Sequence, residues 1–123
     1  MNVTRSTFIL AALLCSLLGF SQIDNKQHSA SMLKKLAQTA EYIRDWESAA
    51  EYYTVYLDKK SPDYKVLYHL AEAQRKGGSY KAAQNNYQTV FEKENDKFPL
   101  AGFYYAKMLV SNGNCKEALP ILK

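Results

Sequence analysis

The sequence predicts an all-α protein in which antiparallel helix hairpins stack one on the next. Three observations predict this fold. From residue 30 onward the chain is rich in Ala, Leu, Lys, Glu, Gln and Tyr, and no stretch alternates polar and apolar residues with period two. Gly, Pro and Asn interrupt this composition at even spacing, as turns between helices do. A pattern of paired alanines recurs three times along the same region.

The segment 1–21 precedes this pattern and has the anatomy of a secretory signal peptide. Arg5 comes before an uncharged apolar run at residues 7–18, and Gly19 and Ser21 are small residues of the kind that a signal peptidase recognises. The run is shorter than the roughly 20 residues of a membrane span. We therefore predict a signal peptide at residues 1–21, with an uncleaved N-terminal anchor as the alternative. Residues 22–29 are polar and aperiodic, and we expect a flexible mature N-terminus there.

Charge distribution and cysteine content argue against a nucleic-acid site and an internal disulfide. The net charge is +4, but the lysines are spread along the chain, which indicates a solvated surface rather than a nucleic-acid site. Of the two cysteines, Cys15 lies in the predicted signal peptide, so Cys115 has no partner for an internal disulfide. We expect Cys115 to be a small buried residue at the start of the last helix.

Turn residues define six predicted helices. Pro62 ends the second helix and Asp63 starts the third, Gly78 follows the end of the third, Ser79 caps the fourth, and Gly113 follows the end of the fifth. The predicted helices cover residues 31–43, 46–59, 63–76, 80–94, 99–111 and 115–123. Connections of a few residues make successive helices antiparallel neighbours.

Six alanines, which we call the hairpin alanines, carry the repeat: Ala37 with Ala49, Ala71 with Ala83, and Ala106 with Ala118. Each predicted second helix begins three residues before its alanine, at Trp46, Tyr80 and Cys115, so the offsets are 34 and 35 residues. Two helix backbones approach closely only where side chains are small, so the hairpin alanines should lie at helix crossings. Large residues four positions later should fill the space between hairpins, namely Tyr53, Tyr87 and Leu122.

This pattern resembles the tetratricopeptide repeat (TPR) family, whose helix–turn–helix unit is about 34 residues long. The resemblance covers residues 30–62, 63–98 and an incomplete unit at 99–123, and it implies a right-handed superhelical solenoid of about two and a half to three repeats. The sequence departs from the family at Arg44, where Gly is common, and at Tyr56 and Val90, where Ala is common.

The last unit has two further unusual features. Pro120 lies inside the predicted sixth helix, where it should kink the helix or remove a hydrogen bond. Leu119 and Leu122 have no following helix to cover them, although solenoids need a polar cap. We therefore expect this chain to be the N-terminal part of a longer protein.

The sequence contains no motif for catalysis or for a cofactor. His28 and His69 lack the spacing of metal ligands, and we expect His69 to be a surface residue. Gly77 and Gly78 follow a helix and lack the Lys-Ser/Thr ending of a phosphate-binding loop. The acidic residues of the second helix indicate a solvated face: Glu47, Glu51 and Asp58. We predict a protein that is not an enzyme and uses no metal or cofactor.

The resemblance implies that the first helix of each hairpin lines a concave groove. Spacings of three and four residues place the expected groove residues on one side of each helix: Lys34, Gln38 and Tyr42, then Tyr68, Glu72 and Arg75, then Phe103, Lys107 and Val110. Aromatic and charged side chains of this kind suit an extended or helical peptide. The alternative, which the sequence leaves open, is that Tyr68 and Phe103 pack between repeats and the lysines only keep the surface soluble.

Some members of the family hold the terminal carboxylate of a chaperone with Lys, Asn and Arg side chains. Lys34 matches the first cation of that clamp and Gln38 only resembles the Asn, while the remaining places hold His69, Leu100 and Tyr104. Without the other cations the carboxylate would lose its charge-assisted hydrogen bonds. The sequence therefore predicts no recognition of a chaperone tail.

The predicted function is that of a non-catalytic scaffold of the bacterial periplasm or cell envelope, which binds a protein or peptide in its groove. We expect neither a nucleic-acid partner nor a membrane span after cleavage of the signal peptide. Two alternatives remain open. One is a structural spacer, and the other is the docking arm of a longer protein that is envelope-anchored and OmpA-like, or enzymatic.

Overall fold

The computed structural model describes residues 27–123, and the predicted signal peptide lies outside them. The described residues form six helices and no strand. These helices are α1 (Ala30–Tyr42), α2 (Trp46–Lys59), α3 (Tyr64–Lys76), α4 (Tyr80–Glu94), α5 (Leu100–Ser111) and α6 (Cys115–Ala118). Each helix packs against the next one in the chain. The prediction of an all-α fold with sequential helix packing is confirmed, and the predicted bounds of α2 and α4 agree with the structure.

Short polar side chains fix the starts of the first three helices. The side-chain oxygen of Ser29 accepts a hydrogen bond from the backbone N–H of Met32 at 3.2 Å. Asp45 caps α2 and Asp63 caps α3 in the same way, each at 3.1 Å from the N–H three residues later. These caps satisfy N–H groups that have no partner inside a helix, which is why the sequence located these helix starts within a residue.

The same turn closes all three hairpins. The residue after each first helix's C-cap has a positive φ: 62° at Arg44, 87° at Gly78 and 85° at Gly113. The next residue donates its N–H to the carbonyl five positions earlier, at 2.8 Å in every case: Asp45 to Ala40, Ser79 to Gln74, and Asn114 to Leu109. This is the Schellman arrangement, and the donor residue is also the N-cap of the following helix.

Arg44 is the one of these three positions that is not glycine. An L-residue in the left-handed region costs roughly 1–2 kcal/mol, whereas glycine adopts it freely. We expect Arg44→Gly to raise the free energy of unfolding by about 1 kcal/mol, measured by urea denaturation followed by circular dichroism. Gly78→Ala is the matched control, because a Cβ there meets no atom within 4 Å and only the φ is unfavourable. The Gly78→Ala variant should lower the free energy of unfolding by a similar amount. A loss of stability in Arg44→Gly would contradict the left-handed conformation of Arg44.

The hairpin alanines are all buried, with exposed fractions of 0–1%. Ala71 and Ala83 share a buried cluster with Tyr87 and Met108, and Ala106 and Ala118 share another with Leu109. In the first hairpin the two alanines belong to adjacent clusters, since Ala37 packs with Tyr53 while Ala49 packs with Ala40. Small residues therefore fill the interior between helices, as the spacing predicted.

The prediction for the end of the chain is wrong in three respects. Helix α6 ends at Ala118 instead of continuing to residue 123, because Pro120 has no N–H and its ring opposes a continued helix. Leu122 consequently does not fill a space between hairpins: it is exposed, as is Leu119. Cys115 is also exposed rather than buried, since α6 is a single turn of which only Ala118 is buried.

Helices α4 and α5 approach closely at Gly102. A Cβ added to Gly102 would lie 2.9 Å from two ring carbons of Phe91. At the corresponding junction between α2 and α3 the equivalent positions are Leu57 and Leu67, which both pack against the first buried cluster. Where the first junction has two leucines, the second junction has the larger Phe91 on α4 and the smaller Gly102 on α5.

We expect Gly102→Ala to lower the free energy of unfolding by about 1–3 kcal/mol through overpacking. Adding Phe91→Leu should restore most of the loss, because it recreates the leucine found at the first junction and removes the ring atoms that clash. Urea denaturation of the single and double variants provides the measurement. An equal loss in both variants would mean that the contact with Phe91 is not the cause.

Candidate binding groove

The first helices of the three hairpins, α1, α3 and α5, contact one another through side chains. A carboxylate oxygen of Glu41 on α1 lies 3.4 Å from Nδ1 of His69 on α3. The guanidinium carbon of Arg75 on α3 lies 4.5 Å from the ring centre of Tyr104 on α5. Side chains of alternate helices therefore form one strip, which we call the first-helix face: Glu41, Tyr68, His69, Glu72, Arg75, Phe103 and Tyr104.

A hydrogen-bonded network occupies the middle of the first-helix face. Arg75 donates from Nη2 to a Glu72 oxygen at 2.9 Å and from Nε to the Tyr87 hydroxyl at 3.2 Å. Tyr87, which comes from α4 and is fully buried, donates its own hydroxyl to Glu72. The half-buried carboxylate thus has both a cationic and a neutral donor, as a polar group in this position requires.

The network fixes the charge states of its members. Burial acts to raise the pKa of Glu72, but the hydrogen bonds from Arg75 and Tyr87 and the charges of Arg75 and Lys76 outweigh it and lower that pKa. The pKa of Tyr87 is raised, because burial disfavours the phenolate and the hydroxyl is bonded to Glu72. At neutral pH an ionised Glu72 therefore pairs with a charged Arg75.

Aromatic rings surround this network. Tyr104 stacks on Tyr87 with ring centres 5.4 Å apart, and Phe103 meets Tyr104 edge-on at 5.3 Å. Tyr68 stacks on Phe98 at 5.2 Å and meets the edge of Tyr87 at 5.8 Å. Phe103 remains 51% exposed. Rings held by their neighbours in this way lose little conformational freedom when a partner covers them.

A second polar cluster joins α1, α2 and α3. The buried Tyr53 of α2 donates its hydroxyl to a Glu41 oxygen at 2.8 Å, and its ring centre lies 5.8 Å from that of His69. Burial and the hydrogen bond to Glu41 raise the pKa of Tyr53. His69, which was predicted at the surface, has a side chain that is 40% exposed and is paired with Glu41.

The two clusters are equivalent by the repeat. Tyr53 and Tyr87 occupy the same position in successive hairpins, as do Glu41 and Arg75, and in each cluster the tyrosine hydroxyl bonds to the charged residue twelve positions earlier. The charge at the equivalent position is therefore reversed, from a carboxylate in the first hairpin to a guanidinium in the second.

A cavity of about 290 Å³ opens beside Glu41 on the first-helix face. Its lining combines carboxylates, aromatic rings and one amine: Glu41, Trp46, Tyr68, His69, Glu72 and Lys76. The Lys76 amine lies 4.7 Å from the ring centre of Trp46 and 3.6 Å from a Glu72 oxygen, so it is engaged on two sides.

Of the predicted groove residues, the structure brings together Tyr68, Glu72 and Arg75 around the network. Phe103 joins them through Tyr104. Lys107 and Val110 follow on α5 and are exposed.

The predicted residues of α1 lie farther from the network. Lys34 is half-buried, with its amine 5.7 Å from the ring centre of Tyr56. Gln38 and Tyr42 line a shallow hollow that is confined to α1, and Tyr42 is 89% exposed. The structure does not bring Gln38 and Tyr42 to the cavity beside Glu41.

Sequence reasoning missed Glu41 and Trp46, and it assigned Tyr87 only a packing role. Glu41 could have been found from the repeat, because it is the counterpart, one hairpin earlier, of Arg75, which was among the predicted groove residues. The hydroxyl contacts of Tyr87 left no signal in the sequence, since they depend on where the ring points once it is buried.

Two further kinds of feature are absent from residues 27–123. This part of the chain contains no group of three or more His, Cys, Asp or Glu side chains that could hold a metal ion. Among the same residues, no helix has the length and apolar character to cross a membrane.

Comparison with protein-family models finds no match for the chain. Comparisons with curated proteins and with solved structures likewise find no match.

Proposed function

We propose that this chain is a non-catalytic interaction module whose first-helix face binds a peptide segment of another protein. One observation carries the proposal: charged and aromatic side chains of three different helices form a continuous strip with a cavity in it. Such a strip offers aromatic anchors beside hydrogen-bonding groups, which is how helical grooves recognise extended or helical segments.

A TPR-like solenoid is the architecture that we propose for this module. Three independent features support it: the offsets of 34 and 35 residues, the hairpin turn that recurs three times with the same hydrogen bonds, and the buried hairpin alanines. The signal-peptide pattern of residues 1–21 supports export to the periplasm or cell envelope as part of the proposal.

A docking arm or spacer within a longer protein is the second candidate function. The exposed side chains of Leu119 and Leu122 favour it, because they are apolar groups that another structural unit could cover. In that case the first-helix face would have no partner, and its substitution would affect stability alone.

The proposal can be tested by selecting peptides from a random phage-displayed library on the protein and measuring their affinity by fluorescence anisotropy. We expect the double substitution of Phe103→Ala and Lys107→Glu to weaken binding at least about tenfold, since it removes an exposed aromatic anchor and reverses a charge. Tyr80→Ala with Lys81→Glu is the matched control, because it also removes one aromatic ring and reverses one lysine charge, at exposed positions on α4. Equal affinity of the first variant and the wild type would refute binding at this face.

A further inference from the structure

The carboxylate of Glu41 has no Lys or Arg partner among the described residues. Its carboxylate accepts a hydrogen bond from the neutral hydroxyl of Tyr53 and lies near His69, and within residues 27–123 neither Lys nor Arg forms an ion pair with it. The Glu41 side chain is 20% exposed, so solvent reaches it only in part. A partly desolvated carboxylate without a cation is complementary to a positive group of a partner.

The position of Glu41 in its helix strengthens this conclusion. Glu41 is the second-last residue of α1, and the last turn of α1 contains no basic residue. The C-terminal end of a helix favours cations and disfavours carboxylates. The equivalent turn of α3 follows that preference with Arg75 and Lys76. The stability of α1 therefore does not explain why a carboxylate stands at this position.

The second hairpin shows how such a site holds a guanidinium group. There the guanidinium of Arg75 bonds to a carboxylate and to a buried tyrosine hydroxyl, and it lies over the ring of Tyr104. In the first hairpin Glu41 stands where the second has Arg75, beside the buried hydroxyl of Tyr53 and the ring of His69, and no Lys or Arg of the described residues forms an ion pair with it. The missing component is the cation.

We propose that the segment bound to the first-helix face inserts an arginine side chain into the cavity beside Glu41. This inference rests on the proposed function and specifies the chemistry of the partner. The cavity of about 290 Å³ has room for a guanidinium group, and the rings of Trp46 and Tyr68 form part of its wall. A planar guanidinium can bond to the carboxylate and lie on an aromatic ring at the same time, which an ammonium group does less well.

The charges around the cavity are compatible with this occupant. Glu72 is neutralised by Arg75, and Lys76 is held by both Glu72 and the ring of Trp46. Glu41 is therefore the carboxylate that an incoming cation would meet without having to break an ion pair with Lys or Arg. His69, the remaining polar group of the lining, stands against Glu41 and would share its carboxylate with the arginine.

The experiment uses the random phage-displayed library panned on the wild-type protein, with the most enriched peptide synthesised as a fluorescent probe. We expect arginine to be enriched at one position of the selected peptides. Glu41→Gln should weaken the binding of this probe about 10- to 100-fold, because it removes a charge-assisted hydrogen bond. The substitution keeps an oxygen that can accept from Tyr53, so the fold is retained. Glu117→Gln, an exposed change of the same charge on α6, should leave the affinity unchanged.

Two variants of the probe complete the test. Replacing the enriched arginine of the peptide by alanine should weaken binding as much as Glu41→Gln does. Replacing the same arginine by lysine should weaken binding less than alanine does. Peptides without an enriched arginine, or equal affinity for wild type and Glu41→Gln, would overturn the arginine inference. The proposed function would survive that result if Phe103→Ala with Lys107→Glu still weakened binding at least about tenfold. A selection that yields no binder would overturn both.

Discussion

Raising the pH above about 10 is expected to destabilise this protein progressively, because two buried tyrosines resist ionisation in the folded state. The pKa values of Tyr53 and Tyr87 are raised by burial and by hydrogen bonds to Glu41 and Glu72. For a group whose folded pKa is raised, the contribution to stability is complete below the unfolded pKa and is lost as the pH rises toward the folded value. Above pH 10 both tyrosines ionise in the unfolded chain but not in the folded protein. This difference should lower the free energy of unfolding by about 2.7 kcal/mol per pH unit.

By pH 12 the loss would reach about 5 kcal/mol, which is comparable to the whole free energy of unfolding of a small domain. Urea denaturation at a series of pH values measures it. The double variant Tyr53→Phe/Tyr87→Phe should show a much flatter decline, although it starts from a lower stability at neutral pH because both hydroxyl bonds are gone. If the double variant declined as steeply as the wild type, other groups would be responsible for alkaline unfolding.

Tyr87→Ala is expected to lower the free energy of unfolding by about 3–5 kcal/mol. The ring is fully buried against Ala71, Ala83 and Met108, so its removal leaves a cavity at the centre of the stack. It also removes a donor to Glu72 and an acceptor from Arg75.

Tyr87→Phe separates the two contributions. It keeps the ring and removes only the hydroxyl, and it should cost about 1–2 kcal/mol. Urea denaturation of both variants at neutral pH provides the comparison. If the alanine and phenylalanine variants were equally unstable, the packing of the ring would contribute little and the hydrogen bonds would dominate.

The helices could be predicted from the sequence because local signals determine their ends. Asp45 and Asp63 cap helices through their own side chains, and Gly78 and Gly113 adopt the left-handed φ that closes a hairpin. At the end of α6, Pro120 outweighed the apolar spacing of the last residues. Burial of the hairpin alanines was predictable too, since it follows from steric fit alone.

The candidate site was predicted only in part. Tyr68, Glu72 and Arg75 follow steps of four and three residues along α3, and the structure brings them together. Along α1 the same counting can continue from Gln38 to either Glu41 or Tyr42, because a helical turn of about 3.6 residues falls between the two steps. The choice depends on contacts with Tyr53 and His69, which belong to other helices, so no count along α1 could make it.

The hairpin turns have a consequence for how the molecule can change in length and curvature. In each hairpin the residue that closes the Schellman turn of the first helix is also the N-cap of the second helix. The connection inside a hairpin therefore contains no additional residue. The offset from Tyr80 to Cys115 is one residue longer than the offset from Trp46 to Tyr80. The additional residue lies between the start of α4 and the start of α5, outside the hairpin turns. The hairpins therefore behave as rigid units, and the connections at residues 60–63 and 95–99 are where insertions, or a change of angle between hairpins, can be accommodated.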